Sequence, residues 1–167
     1  MGLMADNTMS DFGEFTKPRS VKSMVKYTRE IEYSDILDSS RFSIKLDTTD
    51  SENEYAGKVA PPLSILIGSM RPYLGNILVV PKAEWFGFDQ DYLFPIKSEF
   101  LIFEPSDGLT WYWYWYLNSE NFLGRLPVGS GDTRPRLNPS EAGMIPAAPD
   151  SLESRKKLNG IIRDLYN

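Results

Sequence analysis

The sequence predicts an α+β, β-rich domain: a mainly antiparallel sheet or small sandwich with a C-terminal amphipathic helix on a Pro/Gly-rich arm. Three observations predict it. Short runs of β-branched and aromatic residues recur between Pro and Gly breakers from Ser20 to Leu117. Leu158, Ile161, Ile162 and Leu165 follow i, i+3, i+4, i+7 and make one apolar helical face. Between these parts, residues 124–149 are rich in Pro and Gly, which disfavours regular structure. The expected division is an N-terminal arm (1–19), a β-rich core (20–123), a Pro/Gly-rich arm (124–149) and a helix (150–167).

Residues 1–19 scatter Met1, Met4, Met9, Phe12 and Phe15 among polar residues without a clean period. They read as a frayed tail, or as an arm that clips onto a neighbouring subunit. Ser20 to Thr28 alternates and reads as a strand. Arg29 to Ser39 is ambiguous, with Ile31, Ile36 and Leu37 as a short helical face. Arg41 to Leu46 alternates cleanly, with Phe42, Ile44 and Leu46 on one side. Asp47 to Glu54 reads as a solvated acidic loop. Its carboxylates raise the idea of calcium, but their spacing does not fit an EF-hand and the turn Gly is missing.

Leu63 to Met70 is an apolar run after Pro61-Pro62 that suits a buried strand or a short helix equally. Asn76 to Val80 reads as a strand buried on both faces. Trp85 to Phe88 and Tyr92 to Phe94 read as a strand–turn–strand or a packed aromatic loop. In Ser98 to Asn118, two strand-like runs flank Pro105-Ser106-Asp107-Gly108, which predicts a β-hairpin. Ile77 to Leu117 then becomes a meander of consecutive antiparallel strands. On the second hairpin strand Trp111, Trp113 and Trp115 share one face, and Tyr112, Tyr114 and Tyr116 the other. Gly129 to Thr133 resembles a phosphate nest loosely, without the Lys-Ser or Lys-Thr of a Walker loop. Asp150 or Ser151 can cap the final helix.

The 167-residue chain can bury a sizeable core, and its balance of 41% apolar and 25% charged residues is that of an ordinary globular protein. A net charge of −5 without a basic stripe argues against nucleic acid as the main partner. No apolar run approaches the about 20 residues of a membrane span. The N-terminus lacks the layout of a secretory signal, and Asp6 stands where a myristoylation motif wants Ser or Thr. The expected location is the cytoplasm of the producing cell or a virion.

The chain has neither Cys nor His. Thiol chemistry, Cys or His metal sites and His-based triads are therefore excluded. Among Glu84, Asp89, Asp91, Glu99 and Glu104 no pair stands out for glycoside hydrolysis, a mechanism that depends on carboxylate separation. No catalytic, cofactor-binding or metal-binding residue is singled out.

The residues that stand out for an interface or ligand are Trp111, Tyr112, Trp113, Tyr114, Trp115 and Tyr116, with Ile161, Ile162 and Leu165 on the helix. The expected function is a non-enzymatic assembly protein that contacts itself or other subunits. Its most specific form is a capsid, neck or tail accessory protein of a phage or virus. One alternative is a carbohydrate- or ligand-binding module that uses an exposed aromatic strand. Another is an acidic, immunity-like or inhibitory protein that binds a basic partner.

Overall fold

The computed structural model describes residues 7–36, 48–127 and 135–166. Two antiparallel sheets and four α-helices make up the described chain, an α+β, β-rich fold. The strands are β1 (Gly13–Thr16), β2 (Arg19–Thr28), β3 (Thr48–Ala60), β4 (Ile65–Gly68), β5 (Ile77–Val79), β6 (Phe94–Ile96) and β7 (Phe100–Pro105). The helices are α1 (Thr110–Leu117), α2 (Glu120–Leu123), α3 (Pro139–Gly143) and α4 (Leu152–Tyr166). One sheet has the order β1-β7-β4-β5, the other β2-β3-β6.

The four-stranded sheet is the middle layer, which explains its unbroken apolar runs. Alternate side chains of a strand point to opposite faces. Ile65, Ile67, Ile77, Leu101 and Phe103 join a core with α1. Leu66, Leu78, Phe100 and Ile102 join a second core with Ala60 of β3 and with Phe94 and Ile96 of β6. Both faces of Ile65–Gly68 and of Ile77–Leu78 are buried, so β4 resolves as a strand and the two-faced burial expected near Ile77 is found.

The expected meander is not formed. β5 pairs with β4, β6 with β3, and β7 with both β1 and β4. Trp85 lies in a 3-10 turn, Ala83–Phe86, so this stretch is the packed aromatic loop rather than a strand–turn–strand. Arg29 to Ile36 holds no α-helix, only the 3-10 turn Tyr33–Asp35. The acidic stretch from Thr48 to Glu54 opens β3 and pairs with β2, so the loop reading of it fails. The strand expected at 41–46 and the phosphate-nest reading of 129–133 lie outside the described residues.

Both presumed arms belong to the fold where they are described. β1 pairs with β7 from Gly13↔Pro105 to Thr16↔Ile102. The Phe15 ring sits 4.6 Å from that of Phe103, and Met9 is fully buried. Met9 N–H donates to the Ile145 carbonyl at 2.9 Å, and Ala147 N–H donates to the Asn7 carbonyl at 3.0 Å. The two segments thus close on each other. Within 135–149 Leu137, Ala142, Ile145 and Ala147 are buried. Asn138 caps α3 by accepting from Glu141 N–H at 2.8 Å. A scattered apolar pattern that looked like a tail is the pattern of irregular chain laid over a core.

The largest correction concerns residues 110–117. The turn at Pro105–Gly108 exists, with Gly108 at φ 71° and its N–H bonded to the Pro105 carbonyl at 3.2 Å. It leads into α1, not into a second hairpin strand. Trp111 through Tyr114, with Tyr116 and Leu117, are buried. A helix that is apolar all round is stable when most of it is enclosed, and here Trp115 is the aromatic left open.

Candidate functional site

The α1 aromatics form a ring lattice at helical spacing. Trp113 and Tyr116 have centroids 5.2 Å apart, Tyr112 and Tyr116 6.2 Å, and Trp111 and Tyr114 6.4 Å. Trp113 also meets Phe12 at 5.5 Å and Phe103 at 5.8 Å. Of the six residues singled out in 111–116, Trp115 alone is exposed, at 43%. The row of open rings that a glycan-binding strand needs is not formed by these residues.

Polar anchors fix this core to α4. The carboxylate of Asp107 accepts from Leu109 N–H at 2.9 Å, from Trp113 Nε1–H at 3.1 Å and from Arg155 Nε–H at 3.1 Å. Arg155 also donates to the Asp150 carbonyl at 2.8 Å, and its guanidinium lies 5.6 Å from the Phe12 ring and 5.9 Å from the Trp113 ring. The Tyr112 hydroxyl donates to Asp150 Oδ2 at 2.9 Å and accepts from Asp150 N–H at 3.0 Å. Burial above all holds that hydroxyl well above the usual tyrosine value. The Asp150 N–H works the other way, and the Asp150 carboxylate adds to the rise.

The helix expected at 150–167 is present as α4, but its apolar face is split. Ile162 is buried and Leu158 packs against the helix-side core. Ile161 is 60% and Leu165 71% exposed. The three residues Ile161, Ile162 and Leu165 therefore do not act together: one docks and two face outward.

A different set of rings forms an open groove of about 520 Å³, lined by Tyr27, Phe86, Gly87, Phe88, Asp89, Asp91 and Tyr92. Tyr27 and Phe88 lie 5.0 Å apart at 24°, and Phe86 and Phe88 5.9 Å apart at 17°, so both rings stack on Phe88. Tyr92 stands beneath them, 4.9 Å from Phe88, with its hydroxyl accepting from Tyr27 N–H at 2.9 Å. The sequence signals the Trp85–Phe94 aromatics but not their junction with Tyr27, which comes from β2.

Glu84, Asp89, Asp91, Glu99 and Glu104 are all exposed. Among the described residues Asp35 is the carboxylate that is fully buried, where it accepts from Glu32 N–H at 2.8 Å and pairs with the Arg29 guanidinium. Among the described residues no group of three or more carboxylates is placed to hold a metal ion, and no helix is long and apolar enough to cross a membrane. No protein-family model and no curated protein matches this sequence.

Proposed function

We propose that this is a non-enzymatic assembly protein that works by contact with further copies of itself. The observation that carries the reading is the split face of α4. Leu158, Ile161 and Leu165 lie one turn apart along one side of the helix, and a single such side chain gains about 1.5–3 kcal/mol when buried. Leu158 uses that gain in the core, while Ile161 and Leu165 leave it unused. A helix face that runs from the body of the protein into solvent is a natural place for a second subunit. The absence of Cys and His supports a role in contact rather than chemistry. A virion subunit is the most specific form of this reading. Its support is the sequence composition, since the described parts of both presumed arms are built into the fold.

The test is molar mass by light scattering across a concentration series, with the full chain beside an Ile161→Glu/Leu165→Glu variant. An oligomer that becomes a monomer in the variant, with unchanged circular dichroism, supports the reading. A full chain that is monomeric throughout, or an oligomer that survives both charges, overturns it.

A further inference from the structure

We propose that the groove of Tyr27, Phe86, Phe88 and Tyr92 is a docking site for an arginine side chain of a partner protein. The rings supply the first half of the chemistry. Aromatic faces carry partial negative charge, and a guanidinium lies flat on them. Tyr27 stacks on Phe88 at 24° and Phe86 on Phe88 at 17°, the half-buried stack lines the groove, and the Tyr92 hydroxyl bonded to the Tyr27 backbone holds it in place.

The rim supplies the second half. Asp89 and Asp91 are the charged residues lining the groove, and no Lys or Arg is among its lining. Asp89 Oδ1 accepts from Asp91 N–H at 3.0 Å, which sets the turn and leaves Oδ2 for a ligand. Among the described residues the Asp91 carboxylate makes no hydrogen bond or ion pair of its own. Carboxylates accept and never donate when ionised. A guanidinium only donates, which suits a rim of two carboxylates. Its planar fork also matches a carboxylate in a way that a lysine ammonium does not. The protein already uses this pairing internally, where Arg155 lies over Phe12 and Trp113 and bonds to Asp107. The groove presents the complementary half of the same arrangement to solvent, and the net charge of −5 favours approach of a basic surface.

The groove belongs to the core on the far side of the central sheet from α4, so this inference stands apart from the assembly reading. The test is titration of the isotope-labelled full chain with N-acetyl-arginine methylamide, followed by backbone amide shifts. The expected result is a saturable shift confined to Tyr27 and residues 86–92, with a Kd on the order of millimolar for so small a probe. Asp91→Asn, an exposed change with no bond to lose, should weaken it by roughly threefold to tenfold, as should added salt. Phe88→Ala should weaken it similarly. The lysine analogue should bind more weakly, and glucose should produce no shift. Absence of a saturable shift at these residues overturns the proposal, as does a shift that Asp91→Asn leaves unchanged. Equal binding of glucose also overturns it.

Discussion

The Oδ1 atom of Asn159 accepts a hydrogen bond at 3.0 Å from the backbone N–H of Tyr112. Tyr112 is in the first turn of α1, where backbone N–H groups have no partner within the helix. Leu109, at the N-cap position, has no side chain to supply one. A neighbouring helix therefore does the capping, and the contact ties the start of α1 to the middle of α4. Asn159→Ala should lower unfolding free energy by about 1 kcal/mol, the usual worth of a cap. Asn159→Asp keeps an acceptor and adds favourable charge at a helix start, so it should stay close to wild type in urea denaturation.

Asp107 joins three elements: the turn through Leu109, α1 through Trp113, and α4 through Arg155. Asp107→Ala should cost about 2–4 kcal/mol. It strips the acceptor from the buried Trp113 N–H and leaves a largely buried guanidinium without its carboxylate, with only the Asp150 carbonyl still accepting from it. Arg155→Ala alone should cost less, because Asp107 keeps two donors. A double-mutant cycle read by urea denaturation should show a coupling on the order of 1–2 kcal/mol. Strict additivity would mean that the pair does not act as a unit.

Alkaline pH should destabilise the fold through tyrosines. Burial raises the hydroxyls of Tyr112, Tyr33 and Tyr55 above 10.0. The folded state then holds protons that the unfolded state releases. Their contribution is fully present below pH 10 and is lost as pH rises through the folded values. Unfolding midpoints should therefore be flat near neutrality on this account and fall above about pH 10. Tyr112→Phe should make that fall shallower, while costing about 1 kcal/mol at pH 7 through the lost Asp150 hydrogen bonds.

Gly13 tests whether β1 is integral to the sheet. A Cβ added there would lie 2.5 Å from Phe103 Cζ and 2.6 Å from the Glu104 carbonyl oxygen. The second of these is backbone and cannot swing aside. Gly13→Ala should destabilise by about 1–3 kcal/mol and speed hydrogen exchange at the β1 amides. A neutral result would return residues 13–16 to the status of a loose arm.

Most elements legible in the sequence have side chains that face two different environments; the exception is β5, a short apolar run stopped by Pro81. β2 alternates in sequence and is a strand, although an irregularity after Val21 leaves Val25 exposed and packs Met24 on the core instead, and α4 repeats its apolar residues at helical spacing and is a helix. The turn at Pro105–Gly108 was legible too, because Pro and Gly act on their own backbone. The candidate site was less so. Of the nine residues singled out, Ile161, Leu165 and Trp115 reach solvent substantially, while Trp111, Tyr112, Trp113, Tyr114, Tyr116 and Ile162 are core. The open aromatic groove needed Tyr27 of β2 to meet Phe86 and Phe88 across the chain, a junction that no local pattern records.

By itself the sequence determined the α+β class, the two-faced burial near Ile77 and the C-terminal helix. Each follows from how apolar residues are spaced against water, a property of the local chain. The tertiary structure alone decided that Thr110–Leu117 is a helix. When every side of a segment is apolar, helix and strand bury the same side chains and the period carries no information. The balance is tipped by partners from elsewhere: Asp150 on Tyr112 and Asn159 on the first turn. Those groups satisfy buried polar atoms in one conformation of the segment, and only the assembled fold brings them there.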